Sequence, residues 1–165
     1  MFEHFDHTAD LGLRVRAGTL EELLAEAGRG LLAMHVANPE AVRCVQSKTI
    51  ELAADEPAYL LFDWLNELLY AFESEKLLLA EFTIELAQAS GVREHPDGSG
   101  SPPGHNHQEA DASRSPMRLR ATCRGEPMDP ARHTMDHEVK AITYHGLEVH
   151  QDGDGTWQAE VIVDI

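Results

Sequence analysis

Acidic and imidazole side chains gather at the two ends of this chain. His4, Asp6, His7 and Asp10 fall within Phe2-Glu-His-Phe-Asp-His-Thr-Ala-Asp10, and Asp164 and Ile165 close the other end. Carboxylates are hard oxygen donors of the kind that take Ca2+ or Mg2+. The last segment alternates, with Trp157, Ala159, Val161, Val163 and Ile165 on one face, which predicts a strand. A terminus held in a sheet gives its α-carboxylate a fixed position beside the Asp164 side chain. Asp10 stands just before a second alternating run, Leu11-Gly-Leu-Arg-Val-Arg16. Two readings of Asp10 remain open: a ligand, or a residue that, like Thr8, caps the turn. A further polar group lies in Val139-Lys-Ala-Ile-Thr-Tyr-His145. Alternation there puts Lys140 and Ile142 on one strand face and Thr143 and His145 on the other, where the plain alternative is an ordinary surface.

Other chemistries find no support in the residues. There is no Gly-x-Ser-x-Gly, no Walker A loop and no His-Glu-x-x-His. Cys44 and Cys123 lack metal spacing and an activating neighbour, and are expected to be reduced thiols. A formal net charge of −16 argues against direct binding to a phosphate backbone, which needs Lys/Arg contacts. No apolar run is long enough to span a membrane. The first residues lack the basic start and apolar stretch of a signal peptide, so a cytoplasmic location is expected.

These residues need a scaffold, and the pattern supplies one. Thr19-Leu-Glu-Glu22 reads as a capping box opening a helix with Leu20, Leu23, Leu24, Ala27 and Leu31 on one face, running to about Met34. Val45–Leu52 predicts a strand. Asp55-Glu-Pro57 then starts a core helix with a cap and Pro in its first turn. That helix carries Leu60, Leu61, Trp64, Leu65, Leu68, Leu69 and Phe72 as an apolar stripe, with Asp63 and Glu67 on its solvated flank. Leu77–Leu86 and Met117–Arg124 predict strands, with Gly125-Glu-Pro127 turning the chain after the second. Asp152-Gly-Asp-Gly155 reads as a hairpin turn, because the ligand positions of an EF-hand loop fall on Thr156 and Val163. Between these segments, Gly91–Pro116 is rich in Gly, Pro, Ser and His with almost no large apolar residue. It is expected to be a disordered insertion, and a metal site from His95, His105 and His107 is the weaker reading. The sum is one α+β domain over residues 1–165, with a mostly antiparallel sheet and two main amphipathic helices packed on one face.

Four blocks then resemble a known family, the archeases: Phe5-Asp-His-Thr-Ala-Asp10, Trp64-Leu-Asn-Glu-Leu-Leu-Tyr70, Lys140-Ala-Ile-Thr-Tyr-His145 and Val163-Asp-Ile165. Their order and spacing cover nearly everything outside Gly91–Pro116. The resemblance implies an accessory protein, not an enzyme, that promotes guanylylation and multiple turnover of an RtcB-type RNA ligase in tRNA splicing and RNA repair. It also implies a divalent metal, Ca2+ or Mg2+, bound by Asp10, Asp164 and Ile165 through its carbonyl or terminal carboxylate. His7, Lys140, Thr143 and His145 are the functional neighbours to look for. The main alternative is a chaperone-like modulator of another RNA enzyme, such as a tRNA methyltransferase. A stand-alone metal-dependent hydrolase using Asp10, Asp164 and His145 lacks a nucleophile or base constellation.

Overall fold

The computed structural model describes residues 1–7, 10–88 and 116–165, so the expected insertion at Gly91–Pro116 lies almost wholly outside the described residues. The α+β class holds, with antiparallel pairing throughout and two main helices. The strands form two sheets. The first joins β1 (Phe2–His7), β2 (Asp10–Ala17), β8 (Trp157–Asp164) and β6 (Ala141–Ile142) in that order, with β7 (Glu148–Gln151) also on β8. The second is β3 (Gln46–Ala54), β5 (Met117–Pro127) and β4 (Leu77–Gln88).

Helix α1 (Leu20–His35) contacts β1, β2 and β8 of the first sheet and β4 of the second. Helix α2 (Pro57–Glu75) contacts β3, β4 and β5 as well as β6 and β7. The stripes read from the sequence are the ones buried: Leu23, Leu24, Ala27 and Leu31 of α1, and Leu60, Leu61, Trp64, Leu65, Leu68 and Leu69 of α2. Trp64 anchors the junction. Its indole donates to the Leu24 carbonyl at 2.8 Å, and its ring meets Phe82 edge-on with centroids 5.4 Å apart. Burying a side chain of that size contributes on the order of 3 kcal/mol.

Helix α1 starts as the capping box requires, with one change. The Thr19 hydroxyl accepts from the Glu22 amide at 3.1 Å, but the Glu22 carboxylate accepts from the amide of Gly18, one residue further back. Helix α2 has Pro57 in its first turn as expected. Its N-cap is Glu56, which makes no side-chain capping bond, so the start rests on proline's fixed φ.

Two sequence expectations give way to strand geometry. Gly125 does not turn the chain: β5 continues to Pro127, and Gly125 pairs with Gln46 and Leu79. A Cβ there would lie 1.8 Å from the Leu78 carbonyl oxygen, beside the register shift between Leu79 and Glu81, so the glycine permits close approach of two strands. The run Val139–His145 is strand only at Ala141–Ile142. Tyr144 to Leu147 form a turn through Gly146, at φ 67, so Thr143 and His145 share no strand face. The hairpin at Asp152–Gly155 is present, closed by Asp152 N–H to Thr156 O at 2.8 Å, with Gly155 at φ 89.

Candidate functional site

Strand register brings the two chain ends together. In the β1–β2 hairpin His7 pairs with Asp10, and β2 lies along β8 with Leu11 opposite Val163. On the far side of β8, Ala141 pairs with Asp164 and Ile142 with Val163. His7, Asp10, Asp164 and Ala141 therefore fall at one end of four adjacent strands.

Alternation settles the face. Leu13, Val15, Val161 and Val163 point into the core, so Asp10 and Asp164 share the opposite face with Arg14 and Glu160. On that face Arg14 Nη2 binds Glu160 Oε2 at 2.9 Å and Arg14 Nη1 binds Glu3 Oε1 at 2.8 Å. These bonds hold the Arg14 guanidinium above its ordinary pKa. The Phe5 ring lies over Gly12, where a Cβ would come within 2.0 Å of it, and Arg14 covers the ring at 4.8 Å from its centroid. Gly12 thus lets an aromatic ring seal the sheet between the Arg14 layer and the acidic end.

Lys140 ties the last residues down. Its amide donates to the Asp164 carbonyl at 2.8 Å, and its Nζ donates to the Ile165 oxygen at 3.1 Å. Thr143 fixes the neighbouring turn: its amide and its hydroxyl both donate to the Ile162 carbonyl, each at 3.0 Å. His145 is exposed on that turn. His4 leaves the group, because it pairs with Leu13 and its Nε2 lies 3.0 Å from the Gly30 carbonyl of α1, where it donates. Among the described residues no three His, Cys, Asp or Glu side chains converge on one point. The oxygen-rich set at the sheet end is thus two aspartates and the oxygens of Ile165, with Lys140 beside them.

A second charged cluster escaped the sequence reading. Glu126, at the end of β5, is only 5 % exposed. Its carboxylate accepts from Arg132 Nη1 at 2.9 Å and Nη2 at 2.6 Å, from the Arg43 amide at 2.7 Å and from His133 Nε2 at 3.1 Å. His133 Nδ1 accepts the Asp129 amide at 2.9 Å, which leaves the proton on Nε2, facing Glu126. Arg132 foremost, outweighing the cost of burial, holds the Glu126 carboxyl down at about 2. Asn38 closes the group, donating to the Arg132 carbonyl at 2.9 Å and accepting from the Thr134 amide at 2.8 Å. The cluster pins the segment after β5 to the end of α1. Its donors and acceptors are consumed internally, which marks a structural node. Arg132 and His133 lie only six and seven residues from Glu126, but the burial of that carboxylate and its bond to the distant Arg43 amide leave no trace in a single sequence.

The cysteines are both free thiols. Burial pushes Cys123 up to about 12, so it is inert as a nucleophile at neutral pH.

Known proteins share this sequence pattern and fold over the whole length. The model of the Archease protein family (MTH1598/TM1083) matches residues 2–165, and the chain belongs to that family. Protein archease of Methanopyrus kandleri is 33% identical over 165 residues, covering 99% of each chain. Protein archease of Pyrococcus furiosus is 31% identical over 167 residues, covering 99% of this chain and 98% of the other. The solution structure of Methanobacterium thermoautotrophicum protein 1598 superposes with a TM-score of 0.76 at 27% identity, covering 99% of this chain and 98% of that one. Among the described residues no helix is long and apolar enough to cross a membrane.

Proposed function

We propose that this chain is a cytoplasmic accessory protein of an RtcB-type RNA ligase, promoting guanylylation of the ligase's active-site histidine and thereby repeated turnover in tRNA splicing and RNA repair. Membership of the archease family supports the reading. The observation that carries its mechanism is the register that sets Asp10 and Asp164 at the same end of neighbouring strands, with Ile165 following. Two carboxylates in such a position repel each other, and a cation between them offsets that repulsion.

The donor set fits Ca2+ or Mg2+, since all of its members are hard oxygens. Asp10, Asp164 and the Ile165 oxygens would hold the ion, with its remaining positions left to water or to groups of the partner. A divalent cation there supplies charge neutralisation for a triphosphate and so eases nucleotidyl transfer. The chain's own residues supply the placement. Lys140 holds Ile165 in register with β6, and Thr143 fixes the turn that follows. His7 is the strand partner of Asp10 in the β1–β2 pairing, and His145 sits on the turn after β6.

The test is incorporation of labelled GMP into the cognate RtcB-type ligase, with this protein present in substoichiometric amount. Wild type is expected to drive many labelling and ligation cycles, and folded Asp10→Ala and Asp164→Ala variants to lose that effect. Full stimulation by both variants would remove the metal mechanism. No stimulation by wild type would remove the ligase role itself.

A further inference from the structure

Tyr59, Phe62 and Tyr144 form an aromatic step where the start of α2 meets the turn after β6. Phe62 and Tyr144 stack with centroids 3.7 Å apart and planes 20° from parallel, and Tyr59 meets Tyr144 edge-on at 6.2 Å. Tyr59 is 51% exposed and Tyr144 56%. The step is fixed rather than loose. Tyr59 and Phe62 stand on a helix, and Tyr144 is flanked by the two Thr143 bonds to Ile162 and by the Leu147 amide on its own carbonyl at 3.2 Å. Broad, rigid aromatic surface left in water is the typical anchor of a protein interface.

The charge around the step is negative. On α2, Phe62 and Asp63 follow Tyr59 by three and four residues and so share its side of the helix, and the exposed Asp55 and Glu56 directly precede the first turn. Asp63 stands one helical turn after Tyr59, whose ring meets Tyr144, and burial first, then the Asp63 carboxylate and Tyr59, hold the Tyr144 phenol above its ordinary pKa. The step is also continuous with the acidic sheet end, because Ala141, three residues before Tyr144, pairs with Asp164.

We propose that this step is a docking surface for an arginine-bearing segment of a partner protein. A guanidinium stacks flat on tyrosine and reaches a neighbouring carboxylate through its N–H fork, which a lysine ammonium does not match. A second copy of this chain is a poor occupant, since each carries 13 basic against 29 acidic residues. The proposal rests on the accessory-protein reading and names the surface through which that role is exerted.

Affinity of the intact chain for the cognate RtcB-type ligase, measured by calorimetry, tests it with Tyr59→Ser/Tyr144→Ser and with Tyr144→Phe. The serine variant is expected to bind about tenfold more weakly or worse, and the phenylalanine variant to stay within about twofold of wild type. Unchanged affinity of the serine variant would overturn the docking surface while leaving the ligase role standing. Should wild type not bind the ligase, the accessory reading falls, and a short oligoarginine peptide titrated into the isotope-labelled chain decides on the surface alone. NMR shifts centred on the Tyr59, Phe62 and Tyr144 rings, absent with oligolysine and in the serine variant, support it. Shifts spread over the acidic surface, or equal with oligolysine, overturn it. A dimer in sedimentation that the serine variant abolishes also overturns it, because the occupant is then a second copy.

Discussion

The Glu126 node and the acidic sheet end are both built from charge, yet they are wired in opposite ways. At Glu126, each carboxylate oxygen meets a donor from Arg132, and further donors come from Arg43 and His133, all within the fold. At the sheet end, carboxylates of like sign are brought to neighbouring strands by register, with Lys140 bonded to the Ile165 oxygen. A closed network spends its electrostatics on holding segments together. At the sheet end the register instead sets two aspartates side by side on neighbouring strands, where we propose that a cation sits between them. The contrast teaches that charge density alone does not mark a site: opposite charges packed together make a node, while like charges set side by side by register invite a counter-ion.

Breaking the closed cluster should have the largest structural effect. Arg132→Met leaves the Glu126 carboxylate buried without its bidentate partner, and a fall of several degrees in thermal midpoint is expected, the largest of any single change here. Asp164→Asn, by contrast, should leave the midpoint unchanged or slightly raised, by about 0.5 kcal/mol at most, because it removes one of two like charges. Scanning calorimetry on the two variants compares the regions directly. If Asp164→Asn unfolds the protein as badly as Arg132→Met, the sheet end is structural too.

Acid should sharpen the same contrast. His35 lies buried against the Phe72 ring, centroids 4.4 Å apart, and burial pushes it down to about 4. Its unfolded form takes a proton near pH 6.5 while the folded form stays neutral, so stability falls as pH drops from about 6.5 to about 4, by up to about 3 kcal/mol. Glu126, held down at about 2, contributes stability above its unfolded pKa near 4.5 that is lost as pH falls from there toward 2. Midpoints measured from pH 8 to 3 should therefore decline in two stages. His35→Leu is expected to flatten the upper stage and Glu126→Gln the lower. A single decline that neither variant alters would contradict both assignments.

How far the sequence reaches follows from the range of each interaction. Helices and long strands were legible because their stripes and caps are local: the Thr19–Glu22 box and the Trp64 stripe announce themselves within a few residues. The pairing of the chain ends was legible as chemistry, but its cause, Leu11 opposite Val163, belongs to a register between residues far apart. Gly125 misled because glycine serves turns and close strand contacts alike, and only the neighbouring Leu78 carbonyl tells which. The Glu126 cluster was hidden for the same reason, since burial of a carboxylate is decided by the fold around it.

A smaller expectation concerns a position neutral to both regions. Lys76 closes α2 in the left-handed conformation, at φ 52, a place that favours glycine. Lys76→Gly should raise stability by about 0.5–1 kcal/mol without touching either cluster, as urea unfolding would show.

The central claim, that register builds a cation site from Asp10, Asp164 and Ile165, is tested most directly by calorimetric titration of Ca2+ and Mg2+ into the intact chain. One ion bound per chain by wild type, and none by Asp10→Asn or Asp164→Asn with their folds retained, is the result predicted. Binding that survives both substitutions, or no binding by wild type at all, would contradict it.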